Sequence, residues 1–360
     1  MGALFAAVIV TLQAVVATVA PLDPRWSIPF ESAPIAAAGF DATTAYVTLK
    51  GGQLVAVDLD LGSVRWRVDV DTPFTPATGD GLVFTTTESS IEARDAETGA
   101  TRWRTPLPGG AAVPLYWDTG WLLASTPNGD LAAFRASDGS LLWRQSLGSP
   151  LAAAPAPALD RLFLPLADNR LVAVLLTTGE TVWSRAFKGR ITALLALDDQ
   201  LVFGTTAHQV MSVNLSSGRD RWTWRVGGDV SGLPSADEKR IYFAARDNVL
   251  RAVDRKSGNL RWTVALSSRP AGGPLVLPNT VLMPLVSSEI GGFDLETGAP
   301  TVTVMAAGEI GRQPFFRTGA RPTAVRLVTV SRNGHLQGFA QRFEPVPAPL
   351  DALPGLPAVP

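Results

Sequence analysis

Residues 252–262 have the sequence Ala-Val-Asp-Arg-Lys-Ser-Gly-Asn-Leu-Arg-Trp, and the repetition of this stretch decides the fold. A Trp ends each copy, and successive copies lie 37 to 40 residues apart. Such a spacing is typical of chains in which every repeat forms one small unit of secondary structure. The tryptophans of this register are Trp26, Trp66, Trp103, Trp143, Trp183, Trp222 and Trp262.

A glycine stands four residues before every Trp of this register except the first, in segments such as Glu97-Thr98-Gly99. Glycine adopts a positive φ without strain, so these segments are predicted to be tight hairpin turns. We expect each Trp to lie on the strand after the turn and to cover the turn of its own repeat. The glycines, of which the last precedes Val302 instead of a Trp, are Gly62, Gly99, Gly139, Gly179, Gly218, Gly258 and Gly298.

Each repeat contains several short strand-like runs, such as residues 241–244 and 250–254, and the repeats show no helical periodicity. A third register supports the same spacing, with Leu195 in its one gap. Four short strands per unit, in a ring that leaves no long open edge, form a β-propeller. The prolines of this register are Pro34, Pro76, Pro114, Pro155, Pro234, Pro274 and Pro314.

The number of blades follows from the length of the repeat region. Residues 23–343 correspond to eight units of about 40 residues. The last unit lacks the Gly-Trp ending, whereas Trp26 comes before any inner strand of its own. We therefore predict an all-β, eight-bladed propeller of four-stranded antiparallel blades, closed by the N-terminal strand joining the last blade.

Composition excludes several classes of function. The net charge is −1, with no run of basic residues, so a nucleic acid is not expected as a partner. The chain has no Cys, which excludes disulfides, thiolate metal sites and Cys nucleophiles. Its two histidines, His208 and His335, are far apart in the sequence, and this argues against a multi-histidine site.

The two ends differ in composition from the repeat region. Residues 1–20 are uncharged and contain an apolar run at 3–10, which predicts a signal peptide or an N-terminal membrane anchor. We therefore expect an exported protein, either periplasmic or anchored in the membrane and facing the periplasm. Residues 344–360 are rich in proline and are predicted to be a disordered tail.

The repeat pattern Ala-x-Asp-x-x-(Thr/Ser)-Gly-x-x-x-Trp, seen at residues 56–66, 93–103 and 252–262, resembles the quinoprotein-type, or PQQ-like, propeller repeat. The resemblance covers almost the whole repeat region. Departures from the pattern are Leu175, Arg135 and Asn214 at the Asp position and Val302 at a Trp position.

The resemblance implies two classes of function. One consists of dehydrogenases that bind PQQ and Ca²⁺ over the central channel, and the other of non-catalytic scaffolds such as BamB-like subunits of the outer-membrane assembly machine. The dehydrogenases are usually longer and often carry a vicinal cysteine pair, whereas this chain has uniform repeats and no Cys. We predict a monomeric, non-enzymatic scaffold for envelope proteins, with no catalytic, cofactor-binding or metal-binding residue. The alternative is a small PQQ-binding quinoprotein dehydrogenase, or another protein with a ligand in its channel.

The best candidate for a partner-binding site is an aromatic cluster outside the Trp register, namely Tyr116, Trp117 and Trp121. Exposed aromatic residues are enriched in binding hot spots. Packing between blades is the alternative explanation, and Phe315 with Phe316 is a weaker candidate site. The other repeats have mainly polar residues at the position of Trp121, namely Arg161, Gln200, Arg240 and Thr280.

The recurring carboxylates Asp58, Asp95, Asp254 and Asp294 are predicted to cap the glycine turns through local hydrogen bonds, since Asp side chains commonly bond to backbone N–H groups within turns. Arginines directly before the repeat tryptophans are expected to be solvated charges. These arginines are Arg25, Arg65, Arg102, Arg221 and Arg261.

Overall fold

Residues 22–317 and 324–342, which are those described by the computed structural model, contain 32 strands in eight four-stranded antiparallel sheets. The predicted eight-bladed propeller is confirmed. The predicted signal peptide or anchor at residues 1–20 and the Pro-rich tail at residues 344–360 lie outside the described residues.

The first strand of the chain, β1, belongs to the last blade, and blades 1 to 4 follow it in sequence, with four consecutive strands each. The strands are β1 (Leu22–Pro29), β2 (Gly39–Phe40), β3 (Thr44–Leu49), β4 (Gln53–Asp58), β5 (Val64–Asp69), β6 (Ala77–Gly79), β7 (Leu82–Thr86), β8 (Ser90–Asp95), β9 (Thr101–Pro106), β10 (Tyr116–Asp118), β11 (Trp121–Ser125), β12 (Asp130–Arg135), β13 (Leu141–Ser146), β14 (Ala156–Ala158), β15 (Arg161–Pro165), β16 (Arg170–Leu175) and β17 (Thr181–Ala186).

Blades 5 to 7 also take four consecutive strands each, and blade 8 takes the last three strands together with β1. These strands are β18 (Ile191–Ala196), β19 (Gln200–Thr205), β20 (Gln209–Asn214), β21 (Asp220–Arg225), β22 (Ser235–Ala236), β23 (Arg240–Ala245), β24 (Val249–Asp254), β25 (Leu260–Ala265), β26 (Leu275–Val276), β27 (Thr280–Pro284), β28 (Glu289–Asp294), β29 (Pro300–Met305), β30 (Phe315–Phe316), β31 (Val325–Val330) and β32 (His335–Gln341).

The ring closes through β1, as predicted. This strand pairs antiparallel with β32, from Leu22 opposite Gln341 to Pro29 opposite His335. At the end of the pair, Arg342 donates hydrogen bonds of 2.7 and 2.8 Å to the carboxylate of Asp23. The outermost strand of blade 8 therefore comes from the opposite end of the chain from its other three strands.

The core is divided among the interfaces between blades. Eight clusters of buried apolar residues each join two successive blades, and one of them joins blade 8 to blade 1. The middle strands of a blade are buried on both faces, whereas outer strands such as β9 alternate between exposed and half-buried residues. Each sheet thus depends on both of its neighbours for burial of its apolar surface.

The recurring aspartates cap the hairpin turns, as predicted. Asp95 Oδ1 accepts hydrogen bonds from the backbone N–H groups of Glu97 (3.1 Å) and Thr98 (2.9 Å). Asp58, Asp254 and Asp294 make the same pair of bonds in their own blades. Asn214 does so in blade 5, which shows that an amide oxygen can replace the carboxylate in this role.

Four of the five arginines before the tryptophans form ion pairs. Arg102 and Arg261 remain more than half exposed, as expected of solvated charges, whereas Arg65 and Arg221 are only about a quarter exposed. Asp95 Oδ2 lies 2.6 Å from Nη2 of Arg102, because the hairpin brings the end of β8 beside the start of β9. The equivalent pairs are Asp58–Arg65 and Asp254–Arg261. In blade 5, where Asn214 replaces the aspartate, Arg221 pairs with Asp199 instead.

The ion pair of blade 2 predicts a dependence of stability on pH. The hydrogen bonds from Arg102 and Thr98 lower the pKa of Asp95 from 3.8 to about 2. Because the folded pKa lies below the unfolded value, the stabilisation is complete above about pH 4 and is lost as the pH falls through about 2. An Asp95→Asn variant should keep its capped turn and lose about 0.2–1 kcal/mol, the range for exposed ion pairs.

This effect is measured by urea unfolding between pH 2 and pH 7. The difference between wild type and Asp95→Asn should shrink below pH 4, and Arg102→Gln, which leaves both capping bonds intact, should show the same trend. A difference that stays constant down to pH 2 would contradict the assignment.

The repeat tryptophans join neighbouring blades, so the expectation that each covers its own turn is wrong. Trp66 of blade 1 donates a hydrogen bond from Nε1 to the carbonyl of Ala96 in blade 2, at 2.9 Å. Its ring packs on Gly99 of blade 2, where an added Cβ would lie only 2.9 Å from the indole. The other bonds of this kind are Trp26–Leu59, Trp103–Ala136, Trp143–Leu176, Trp183–Leu215, Trp222–Arg255 and Trp262–Leu295, at 3.0 to 3.3 Å.

This arrangement explains why Val302 occupies the Trp position of blade 7. A Trp there would pack on the hairpin turn between the last two strands of blade 8. Those strands, β32 and β1, come from opposite ends of the chain, so no turn joins them. The loss of one Trp from the register is thus a consequence of how the ring closes.

Candidate partner-binding site

The predicted aromatic cluster lies at the innermost hairpin of blade 3. Tyr116 and Trp117 belong to β10, and Trp121 begins β11 opposite Asp118. All three aromatic side chains are half-buried. Adjacent residues of a strand point to opposite faces of the sheet, and this separates the cluster into two parts.

Trp117 faces blade 2. Its ring lies against Gly79 so closely that an added Cβ would overlap the indole, and it packs against the apolar cluster between blades 2 and 3. The indole Nε1 is buried and has no hydrogen-bond partner among the described residues. Trp117 therefore helps to hold two blades together.

Tyr116 and Trp121 face blade 4 and pack at the edge of the apolar cluster between blades 3 and 4. Burial, and to a lesser extent the charge of Asp118, raises the pKa of Tyr116 to about 12. Like any tyrosine, Tyr116 is protonated at neutral pH, and its hydroxyl can donate a hydrogen bond.

Beside Tyr116 lies a cavity of about 450 Å³, here called the channel hollow. Residues 153–157 of blade 4, residues 192–196 of blade 5 and Leu233 form the rest of its lining. None of these residues carries a charge. The hollow therefore offers an apolar surface with the Tyr116 side chain at its edge.

Sequence reasoning missed the channel hollow, since small and aliphatic residues line most of it. The one available signal was the gap in the proline register, which was predicted at Leu195 and which the structure places one residue earlier, at Leu194. The weaker candidates Phe315 and Phe316 pack at the ring closure. Phe315 stacks on Phe40 of blade 1 with ring centroids 4.2 Å apart, and Phe316 packs in the cluster between blades 7 and 8.

The two histidines lie apart from this site. His208 occupies the β19–β20 turn with Nδ1 3.8 Å from Asp229, and His335 begins β32. Within residues 22–317 and 324–342, no group of three or more His, Cys, Asp or Glu side chains is placed to hold a metal ion. The same residues include no helix that is long and apolar enough to cross a bilayer.

The fold and the repeat define the class of this protein, an eight-bladed β-propeller built from PQQ-like repeats. Residues 87–187 and 167–307 match the family model described as outer membrane protein assembly factor BamB. These matches cover more than half of the chain, and the chain belongs to this family.

Individual relatives have the same description. The chain is 26% identical over 265 residues to the outer membrane protein assembly factor BamB of Nitrosomonas eutropha, an alignment that covers 72% of this chain and 58% of the relative. Identity to the Bordetella pertussis BamB is 25% over 218 residues, covering 55% of this chain and 56% of the relative. The aligned region spans a little over half the length of these two relatives.

Solved structures share the fold. The BamB structure from Moraxella catarrhalis aligns with a TM-score of 0.71 at 17% identity, over 89% of this chain and 99% of that one. The quinohemoprotein alcohol dehydrogenase of Comamonas testosteroni aligns with a TM-score of 0.71 at 12% identity, over 94% of this chain and 79% of that one. At these identities the likeness shows the propeller fold alone.

Proposed function

We propose that this protein is a non-enzymatic scaffold of the cell envelope, exported and facing the periplasm, that supports outer-membrane protein assembly. The family match over residues 87–307 carries this proposal, because its members are described as assembly factors. A ring in which every blade is held by both neighbours is suited to presenting a fixed surface to a partner.

We further propose that Tyr116 and Trp121 contact an envelope protein. Both are half-buried aromatic side chains at an innermost hairpin, and Tyr116 adds a hydroxyl at the edge of an apolar hollow. Aromatic residues with a polar end are common anchors in protein interfaces. Trp117 is a poorer candidate because its ring is committed to Gly79.

Deleting the gene is expected to lower the amount of folded outer-membrane proteins in the envelope, as measured by quantitative mass spectrometry of outer-membrane fractions. Wild-type protein should restore that amount, whereas a Tyr116→Ala, Trp121→Ala double variant should restore less. Leu141→Ala, at an exposed residue on the outer strand of the same blade, is the matched control. Unchanged outer-membrane proteins in the deletion strain would contradict the proposed function.

The scaffold proposal also predicts no response to PQQ. Incubation with PQQ and Ca²⁺ should give neither dye-linked alcohol or sugar dehydrogenase activity nor a shift in melting temperature. Binding at 100 times the Kd would stabilise the folded state by about 2.7 kcal/mol, which a thermal scan detects. A PQQ-dependent shift accompanied by turnover would favour the quinoprotein alternative.

A further inference from the structure

The innermost strand of blade 5 is unlike those of the other blades. β18 is six residues long and pairs with β19 from Ile191 to Ala196, whereas the innermost strands of the other seven blades have two or three residues. Five of its residues, 192–196, line the channel hollow. Blade 5 therefore presents a full strand edge to this cavity.

A proline at one position distinguishes five of the other blades from blade 5, although blades 1 and 3, which have Ala38 and Leu115 there, also have short innermost strands. In five blades a Pro directly precedes the innermost strand, three residues before the residue that pairs across the hairpin turn. Leu194 has this position in blade 5, three residues before Leu197, which bonds to Gln200 across the turn. Proline has no N–H group, so it removes a donor from the edge and discourages strand addition. These prolines are Pro76, Pro155, Pro234, Pro274 and Pro314.

The backbone of β18 leaves donors and acceptors without partners in the sheet. The N–H of Leu197 donates to the carbonyl of Gln200 at 2.9 Å, which makes this the first hydrogen-bonded pair of the ladder. In an antiparallel ladder such pairs alternate with non-hydrogen-bonded ones. The N–H and C=O groups of Ala196 and Leu194 therefore point away from β19, towards the channel.

The lining of the hollow restricts what can pair with this edge. It contains no charged residue, so a charged side chain entering it would lose hydration without meeting a side chain of opposite charge. The occupant must also supply backbone N–H groups of its own. Residues 345–360 of this chain are a poor match, since six of these sixteen residues are Pro.

We propose that an extended, uncharged and proline-free segment of a partner protein binds in the channel hollow by adding a strand to the inner edge of β18. Main-chain hydrogen bonds to Leu194 and Ala196 supply affinity, and the apolar lining with Tyr116 selects the side chains. This proposal deepens the proposed function, on which it rests, by naming the chemistry of the partner segment.

The test uses purified full-length protein and a fluorescein-labelled, uncharged heptapeptide of alternating Val and Thr, with binding followed by fluorescence anisotropy. Saturable binding is expected, together with slower amide hydrogen exchange in residues 191–197. The same peptide with two central residues replaced by Pro should bind at least tenfold more weakly. Absence of binding by the first peptide, or equal binding by both, would overturn the proposal.

Variants of β18 isolate the backbone donors. Ala196→Pro removes one channel-facing N–H, and the fold accepts Pro at the equivalent position of blade 4, where Pro157 stands one residue before the hairpin pair. We expect at least tenfold weaker peptide binding, whereas Ala196→Ser, which keeps the N–H, should bind like wild type. Leu194→Pro with Leu194→Ala as its control is the second pair, and circular dichroism checks the fold of all four. Wild-type affinity in both folded Pro variants would overturn the proposal.

The two proposals can fail separately. If the peptide does not bind while the deletion strain still loses folded outer-membrane proteins, the scaffold function stands and the β18 edge is not its binding site. The opposite result is that the purified protein binds the peptide as expected but the gene deletion has no effect on outer-membrane proteins. In that case strand addition stands and the assembly role does not.

Discussion

Replacing Trp262 with alanine is expected to lower the free energy of unfolding by about 3–5 kcal/mol, the range for truncating a buried aromatic side chain. Trp262 is only 8% exposed. Its Nε1 donates to the carbonyl of Leu295 in blade 7 at 3.0 Å, and its ring packs on Gly298 and lies 5.8 Å from the ring of Tyr242. The substitution therefore leaves a cavity between blades 6 and 7 and an unpaired carbonyl, and urea unfolding measures the loss.

Two further single variants calibrate this prediction. Trp183→Ala removes a tryptophan of the same register, bonded to Leu215 of blade 5 at 3.3 Å, and should also be strongly destabilising. Trp121→Ala removes a half-buried Trp outside the register and should cost less than either. Equal losses at Trp183 and Trp121 would contradict the role assigned to the register.

A double-mutant cycle tests whether the contact crosses between blades. Gly298→Ala in blade 7 places a Cβ 2.8 Å from the indole of Trp262 at a residue with φ of 73°, so it should be destabilising in the wild-type protein. In the Trp262→Ala background the clash with the indole disappears, and the backbone strain of about 1–2 kcal/mol and a close contact of 3.2 Å with Val264 Cγ2 should remain. Strict additivity of the two substitutions would contradict direct packing between blades.

The repeat spacing was sufficient to predict the fold and its closure, but not which blade each Trp contacts. Gly99 is followed by Trp103 at a fixed distance in the sequence, yet the indole on Gly99 is that of Trp66. The repeat spacing is the same whether each Trp contacts its own turn or the turn of the next repeat. Spacing alone therefore cannot distinguish these two contacts. One clue was available in the sequence. The repeat of blade 7 has Val302 in place of Trp, and the repeat that follows it, in blade 8, is the one that lacks the Gly turn.

The pairing of Asp95 with Arg102 could have been predicted from the sequence. An Asp at the end of one strand and an Arg seven residues later, with a tight turn between them, lie close together across the hairpin, where Arg102 occupies a β-bulge between Thr101 and Trp103. In blade 5 Asn214 replaces this aspartate, and Arg221 pairs with Asp199 instead. The ion pair across the hairpin therefore depends on the aspartate.

The candidate site was predicted only in part. Tyr116 and Trp117 are neighbours in one strand, so alternation already implied that they could not share a face. The cavity beside Tyr116 depends on three other blades, and its apolar lining looks like ordinary core in the sequence. Only the three-dimensional arrangement shows that residues 192–196 keep a strand edge facing open space.

Deleting residues 22–29 is expected to make the protein aggregate, because it removes the whole of β1. The pairing edge of β32 would be exposed along its length, and an unpaired strand edge promotes association with other chains. Blade 8 would also lose Trp26, whose Nε1 bonds to Leu59 of blade 1 at 3.0 Å and whose ring covers Gly62 and Gly338. Size-exclusion chromatography and thermal unfolding measure the change, and deletion of residues 345–360 serves as the control expected to have little effect.

A circular permutant separates the loss of pairing from the loss of chain length. Joining residues 22–29 after Arg342 through a short turn of the Asp-x-x-x-Gly type would give blade 8 the same hairpin as the other blades, since Gln341 and Leu22 are already paired at that end. This permutant should be soluble and as stable as wild type.

With such a turn present, Val302→Trp should further stabilise the permutant by adding the missing contact between blades 7 and 8. In wild type the same substitution should not stabilise, because there is no turn for the new Trp to cover. A deletion of residues 22–29 that leaves solubility and melting temperature unchanged would contradict closure of the ring by β1.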